Sequence, residues 1–297
     1  MISLKNSYCM NLFNSMHSGI NINNIEYGVV ISNPSTCTIN TVTDTNGDIY
    51  KVYSFTSGTN SMKINLSIST PFYYLCCAGG GVGGADAGGG GGGGGYLDGT
   101  LNLMSDTVNI NVGTKGYWTD TNGATSLKDI TNPGDSVITG LTFSEIRSIK
   151  GGAGGSYAFA GSSGGSGGGA RPRTTTGYDG TDGQGYAGGN NGGGGAGGVG
   201  NASVGSTRGG AGGDGKLCSK NGIKLLYPTT KFCAGGAGGG GTQVAAGGTT
   251  GGGSSSITGK GGNAASWGSG GGGAKRGSGY VGGNGYSGII VFAYKIS

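Results

Sequence analysis

A mainly β domain carrying an inserted bundle of polyglycine-II helices, with almost no α-helix, is the fold class this sequence predicts. Three observations predict it. Several short segments alternate apolar and polar residues at the period of a strand, and no window carries the 3.6-residue period of an amphipathic helix. Glycine supplies 78 of the 297 residues, against about 7% in ordinary proteins. The glycine tracts are entered and left through dense apolar runs, Phe72–Cys77 and Gly288–Tyr294, which a dispensable tail would not have.

In chain order, residues 1–50 read as an N-terminal arm or attachment segment with two short strands, "YGVVIS" and "CTINTVT". "TNGD", Thr45–Asp48, is a turn signal, and "IYKVYSF" follows it as a strand. In "MKINLSI" the residues Met62, Ile64, Leu66 and Ile68 share one face, and Lys63, Asn65 and Ser67 the other, as in a half-buried strand. "FYYLCC" is a continuous run suited to a strand covered on both faces. "DTVNINV" alternates through Val108, Ile110 and Val112, and "SVITGLTFSEI" supplies one or two more short strands. "SGIIVFAYKIS" closes the chain as a buried strand. The glycine-rich domain is thus expected over 51–297, with strands at about 51–77, 101–112, 137–149 and 288–296, and glycine helices over 78–95 and 151–288.

The tract "AGGGVGGADAGGGGGGGG" poses a choice between flexible linker, phosphate loop and folded body. Glycine loses more freedom on folding than any other residue, which favours a linker. Against that, large residues punctuate the tracts, among them Tyr157, Phe159, Val199, Trp267, Tyr280, Val281 and Tyr286. A phosphate loop needs its glycines in one turn before a helix, and no helix follows. Glycine can instead form extended threefold helices rising about 3.1 Å per residue, with no internal hydrogen bonds. Their amides and carbonyls must find partners outside. A bundle supplies them, and the missing Cβ lets the helices approach. Glycine is then required only where helix faces helix, which accounts for a loose GGx pattern and excludes collagen's strict frame.

The ordered series "YSFTSGTNSMKINLSISTPFYYLCCAGGGVGGADAGGGGGGGG" (Tyr53–Gly95), "VNINVG" (Val108–Gly113) and "GGNGYSGIIVFAY" (Gly282–Tyr294) resembles the glycine-rich domain proteins of giant DNA viruses. The resemblance covers roughly residues 50–297. It implies a β-sandwich, jelly-roll-like, carrying a polyglycine-II bundle, an architecture similar to that of phage tail-fibre adhesins. The pair Cys76–Cys77 stands where an apolar pair such as Val-Val is usual in the family. The resemblance also implies a virion location, in the capsid or a surface fibre, with capsid or fibre proteins of the same particle, or further copies of the chain, as partners.

Composition bounds the chemistry. The net charge is +5, and the five arginines, Arg147, Arg171, Arg173, Arg208 and Arg276, are dispersed. Nucleic-acid affinity draws on clustered basic residues, so a nucleic-acid partner is not expected. "STRGGAGG" holds a single RGG, and "AKRGSGY" sets basic residues near a tyrosine. Both read as incidental. One histidine, His17, and 13 scattered acids offer no catalytic set, so no enzyme, cofactor or metal is expected. "YDGTDGQG" reads as a turn. No apolar run reaches the roughly 20 residues of a membrane span, and the first residues lack the apolar stretch of a signal peptide.

The interruptions of the glycine pattern are the candidate contact surfaces, because binding residues concentrate on loops held by a rigid scaffold. "ARPRTTTGYDGTDGQGY" carries Arg171, Arg173, Tyr178 and Tyr186. "KLCSKNGIKLLYPTTKFC" carries Lys216, Lys220, Lys224 and Tyr227, and "GYWTDTNG" sets Trp118 among polar residues. Cys218 and Cys233 leave two readings open, a disulfide closing one loop or two reduced thiols. The expected function is a non-enzymatic structural protein of a virion (minor capsid, cement or surface fibre). The alternatives are a host-recognition adhesin contacting a receptor or glycan, and a disordered glycine-rich matrix or RNA-binding protein.

Overall fold

The computed structural model describes residues 28–119, 130–157, 159–170, 176–205, 208–240, 242–249, 251–277 and 279–297. It is mainly β and antiparallel. The strands are β1 (Val29–Ile31), β2 (Cys37–Thr43), β3 (Ile49–Phe55), β4 (Gly58–Cys77), β5 (Tyr96–Val112) and β6 (Tyr117–Trp118). They continue as β7 (Ile130–Thr131), β8 (Ser136–Thr139), β9 (Ile146–Ser148), β10 (Lys216–Leu217), β11 (Lys231–Phe232) and β12 (Ile289–Lys295). A one-turn helix, α1 (Ile223–Leu226), lies between β10 and β11.

The main sheet runs β2-β3-β12-β4-β5-β8-β9, with β1 also on β4. The long pair β4–β5 changes register between Asn65 and Thr70, and an irregularity of this kind bends a strand. Before it, β1 pairs with Met62–Ile64. After it, β12 pairs with Phe72–Cys77. The two halves enclose one core, with Met62, Ile64, Val108, Ile110 and Ile138 from one and Phe55, Phe72, Leu103, Ile290 and Phe292 from the other. The bent sheet thus folds over this core in two halves, as in a sandwich. Ile68, expected on the buried face, is 70% exposed because it sits at the register shift.

Several boundaries differ from the sequence expectation. The first 50 residues do not form a separate arm over their described part. β2 pairs with β3 along its whole length and β1 completes the other half, so residues 28–50 belong to the sheet. Of the three strands expected within 51–77, the first is β3 while the second and third are one continuous strand, β4, and β5 begins at Tyr96, where it pairs with Cys77.

The other face of β12 is covered as well. Val52, Leu75, Tyr96, Ile289 and Val291 form a second core with Cys218, Ile223, Phe232 and Cys233. The segment Lys216–Cys233 is therefore a lid on the sheet. Gly222 leads into α1 at φ +75°, and a Cβ there would press on Ala293 and Tyr50. Only glycine combines that backbone with that approach. Burial on both faces explains why "FYYLCC" and "IIVFAY" lack polar alternation.

Between β4 and β5 the chain makes an excursion rather than a turn. Residues 78–84 leave the sheet, reverse at Asp86 and Ala87 (φ 45° and 55°), and return along 88–95. Gly89, Gly92 and Gly95 donate to the carbonyls of Gly155, Gly152 and Ile149. Gly90 and Gly93 donate to Asn191 and Gly194, and Gly91 and Gly94 to Gly271 and Gly268. The carbonyls of Gly89 and Gly92 accept from Gly84 and Gly81, those of Gly90 and Gly93 from Gly169 and Ser166, and those of Gly88 and Gly91 from Gly239 and Gly236. Run 88–95 is thus surrounded by six others, and every third amide along it addresses the same neighbour. A repeat of three is the period expected of extended threefold helices.

Serines fix the bundle to the sheet. Ser136 Oγ donates to the Cys77 carbonyl at 2.7 Å and accepts from the Gly113 amide at 2.9 Å. Ser148 Oγ donates to the Gly95 carbonyl and accepts from the Ala78 amide at 3.1 Å. Both serines are fully buried, so these bonds satisfy polar groups that water does not reach.

Candidate ligand-binding site at the end of the bundle

Because runs alternate in direction, their turns fall at two ends. One end meets the sheet. The other gathers, among the described residues, Asp86–Ala87, Tyr157, Asn190–Asn191, the paired Val204 and Arg208, Gly239–Gly240 and Lys275–Gly277. A cavity of about 320 Å³ opens among them, lined by Arg208, Arg276, Tyr157, Asn190, Asn191 and Ser203 together with glycines and Ala87.

Each arginine is carried by a braced turn. Val204 and Arg208 exchange backbone hydrogen bonds of 2.9 and 3.4 Å around Gly205. The turn bearing Arg276 is tied to the first excursion, with Ala87 N donating to Lys275 O at 3.1 Å and Asp86 N to Tyr280 O at 3.2 Å. Asp86 Oδ1 accepts the Gly277 amide at 2.8 Å. Asn191 is buried, and its Oδ1 accepts the Gly210 amide at 3.3 Å. Ser203 Oγ donates to Asn190 Oδ1 at 3.4 Å.

Electrostatically the site is cationic. Ion pairs among the described residues join Arg147 to Asp135 and Glu145, Lys231 to Asp214, and Lys295 to Asp48. None of them compensates Arg208 or Arg276. Asp86 is the acid on the neighbouring turn. Two guanidinium forks with amide and hydroxyl groups beside them can hold an anion that also carries hydroxyls. A second, more open cleft lies nearer the sheet, between Trp267, Tyr286, Thr229 and Thr230. It carries no charge.

The residues expected to make contacts are dispersed. Arg171 and Arg173 lie outside the described residues, as do His17 and the first cysteine, Cys9. Tyr178 is half-buried along the bundle side, and Tyr186 is exposed. Lys216 is exposed, with Nζ 4.8 Å from the Tyr96 ring centroid. Lys220 and Lys224 sit on the lid rather than at the bundle end. The Tyr227 hydroxyl donates to Ser54 Oγ at 3.0 Å and its ring meets Phe232 edge-on, so it holds the lid to β3. Trp118, expected to be exposed, is buried. Its Nε1 donates to the Gly83 carbonyl at 3.1 Å, and it packs with Val82, Phe159 and Val281 against the bundle flank. The short β6–β7 ladder folds back there and brings the indole with it.

Cys218 and Cys233 are both free thiols. The β10–β11 register pairs Lys216 with Phe232 and Leu217 with Lys231, which sets the two cysteines beyond opposite ends of that ladder. Cys218 Sγ points to Asp98 Oδ2 at 4.0 Å, and Cys233 Sγ to the Gly95 carbonyl at 3.4 Å. Of the two readings left open by the sequence, the structure has the reduced thiols.

Sequence reading recorded Arg208 and Arg276 separately and dismissed both. The signal that could have joined them is phase. Non-glycine clusters recur at alternate ends of runs of similar length, and both arginines fall at the same end as "GADAG".

Among the described residues no group of histidines, cysteines and acids is placed to hold a metal ion, and no helix is long and apolar enough to cross a membrane. Residues 55–295 match the family described as "Glycine-rich domain". Comparison with curated proteins finds no match.

Proposed function

The chain belongs to the glycine-rich domain family, and from that premise we propose that it is a non-enzymatic structural protein of a virion, set in the capsid or a surface fibre. The observation that carries this reading is the central run 88–95, whose amides and carbonyls are paired with six surrounding runs. Such a block gains its rigidity from backbone hydrogen bonds rather than from side-chain volume, and suits repeated contacts with neighbouring subunits. The resemblance to giant-virus glycine-rich proteins supports that location, with capsid or fibre proteins of the same particle, or copies of the chain, as the proposed partners. Dense amide pairing counts against a disordered matrix.

A host-recognition role is the second reading, and Arg208 and Arg276 at the free end of the bundle, which none of the ion pairs among the described residues engages, favour it. Protease shaving of purified particles, with mass spectrometry of retained and released peptides, tests both. Release of peptides from the bundle end, with the glycine runs retained, supports an outward-facing protein. A chain that is present but wholly protected supports a cement role. Absence from particles overturns both readings.

A further inference from the structure

We propose that the cavity at the free end of the bundle binds an acidic sugar, a ring bearing a carboxylate or sulfate, with Arg208 and Arg276 holding the anionic group. The inference rests on the recognition reading and names the ligand class that the site takes.

Charge comes first. Arg208 and Arg276 line one cavity, and the ion pairs among the described residues engage neither of them. Two like charges held on braced turns repel, and an anion between them relieves that repulsion. Guanidinium groups grip carboxylate and sulfate with paired N–H donors. Size comes second. At about 320 Å³, the cavity lies at the small end of the ~300–1,000 Å³ range of ligand pockets, enough for one ring and not for an extended peptide. Neutral chemistry comes third. Asn190, Asn191 and Ser203 bring amide and hydroxyl groups to the lining, and Tyr157 brings an aromatic ring. Sugar hydroxyls need such partners, whereas a bare inorganic anion does not. Nucleic acid would require a longer basic track with several stacking rings, which the described residues lining this cavity do not form.

The residues that line the cavity come from separate turns of one chain. Both arginines are exposed, and replacing them leaves the glycine network untouched.

The test is titration calorimetry of the purified full chain with N-acetylneuraminic acid, glucuronic acid and glucose 6-sulfate, using glucose, inorganic sulfate and inorganic phosphate as comparators. Binding of at least one acidic sugar is expected, weakened tenfold or more by Arg208→Gln and again by Arg276→Gln, with an unchanged urea midpoint. Arg→Lys variants should restore part of the affinity, since charge returns without the fork. Raising salt should weaken binding. Equal affinity for glucose overturns the proposal, as does affinity for sulfate or phosphate matching that for the acidic sugars. Binding that survives the double Gln variant, or no binding of any acidic sugar, overturns it too. Particle shaving reports on location independently, so a failed titration leaves the virion reading standing, and the converse holds.

Discussion

The amide of Gly91 donates to the carbonyl of Gly271 over 2.8 Å, at the centre of the bundle. A Cβ on Gly91 would lie well inside van der Waals contact with the carbonyl oxygens of Gly81 and Val82. The neighbours are backbone, held by their own hydrogen bonds, so they cannot rotate aside. Gly91→Ala should therefore destabilise by more than the ~1–3 kcal/mol usual for overpacking. Gly198→Ala is the contrast. Its Cβ would meet only the Asp214 amide at 3.8 Å, and reduced freedom of the unfolded chain should leave stability level or raise it by ~0.4–1 kcal/mol. Urea denaturation of both variants checks the packing. Equal stability of the two would mean that the runs are not in close contact.

Trp118 joins β6 to the bundle through its bond to Gly83 and its contact with Phe159, whose ring centroid lies 6.1 Å away. Trp118→Ala removes both, together with a large buried area, and should cost ~3–5 kcal/mol. Trp118→Phe keeps an aromatic ring and leaves the Gly83 carbonyl unpaired, at ~1–3 kcal/mol. Denaturation midpoints of the two variants should fall in that order. If Trp118→Ala costs no more than a surface substitution, the indole is not the anchor of this flank.

The alternating strands were legible because each keeps one face on a shared core: Met62 and Ile64, then Val108, Ile110 and Val112. Double coverage was legible too, in the unbroken apolar runs around Leu75 and Val291. Ile68 broke its pattern because a register shift is a property of two strands, and the sequence of β4 alone does not contain it. The lid was read as a contact loop because its apolar residues, Ile223 and Phe232, are separated by lysines and a proline, and only the fold brings them together on β12. Trp118 was misplaced for the same reason, since its polar neighbours in sequence are not its neighbours in space. Arg208 and Arg276 meet only through the lengths of the runs between them.

Asp106 is a buried carboxylate without a cation among its partners. It accepts from the Thr107 amide at 2.7 Å, the Leu141 amide at 3.0 Å, and the Thr142 amide and hydroxyl at 3.2 and 2.6 Å. Burial is the largest single influence and pushes its pKa up, but the hydrogen bonds from Thr142, Leu141 and Thr107 together outweigh it, and the pKa lies below the ordinary 3.8. A depressed folded pKa means stability present above pH 3.8 and lost as pH falls through the lowered value. Asp106→Asn loses acceptor capacity and turns an N–H toward amides, at ~1–3 kcal/mol near neutrality. Thermal midpoints between about pH 2 and pH 7 should converge for wild type and variant at the acid end. Parallel curves would remove Asp106 as the source of the acid sensitivity.

At the alkaline end the thiols take over. Burial pushes the Cys37 thiol up to about 12 from an ordinary 9.0, only partly offset by a backbone hydrogen bond from Ser54. Burial likewise raises Cys76, and Cys77, whose thiol meets that of Cys233. A raised folded pKa means that the folded chain keeps a proton which the unfolded chain releases. This stability is therefore complete below pH 9 and lost as pH rises toward about 12. Denaturation midpoints should fall over that window, and Cys37→Ser should make the fall shallower. Because the thiolate is the reactive form, iodoacetamide at about pH 8 should label Cys76 and Cys77 only as the chain unfolds. Prompt labelling of Cys77 in the folded protein would mean that the junction between β4 and the bundle opens to water.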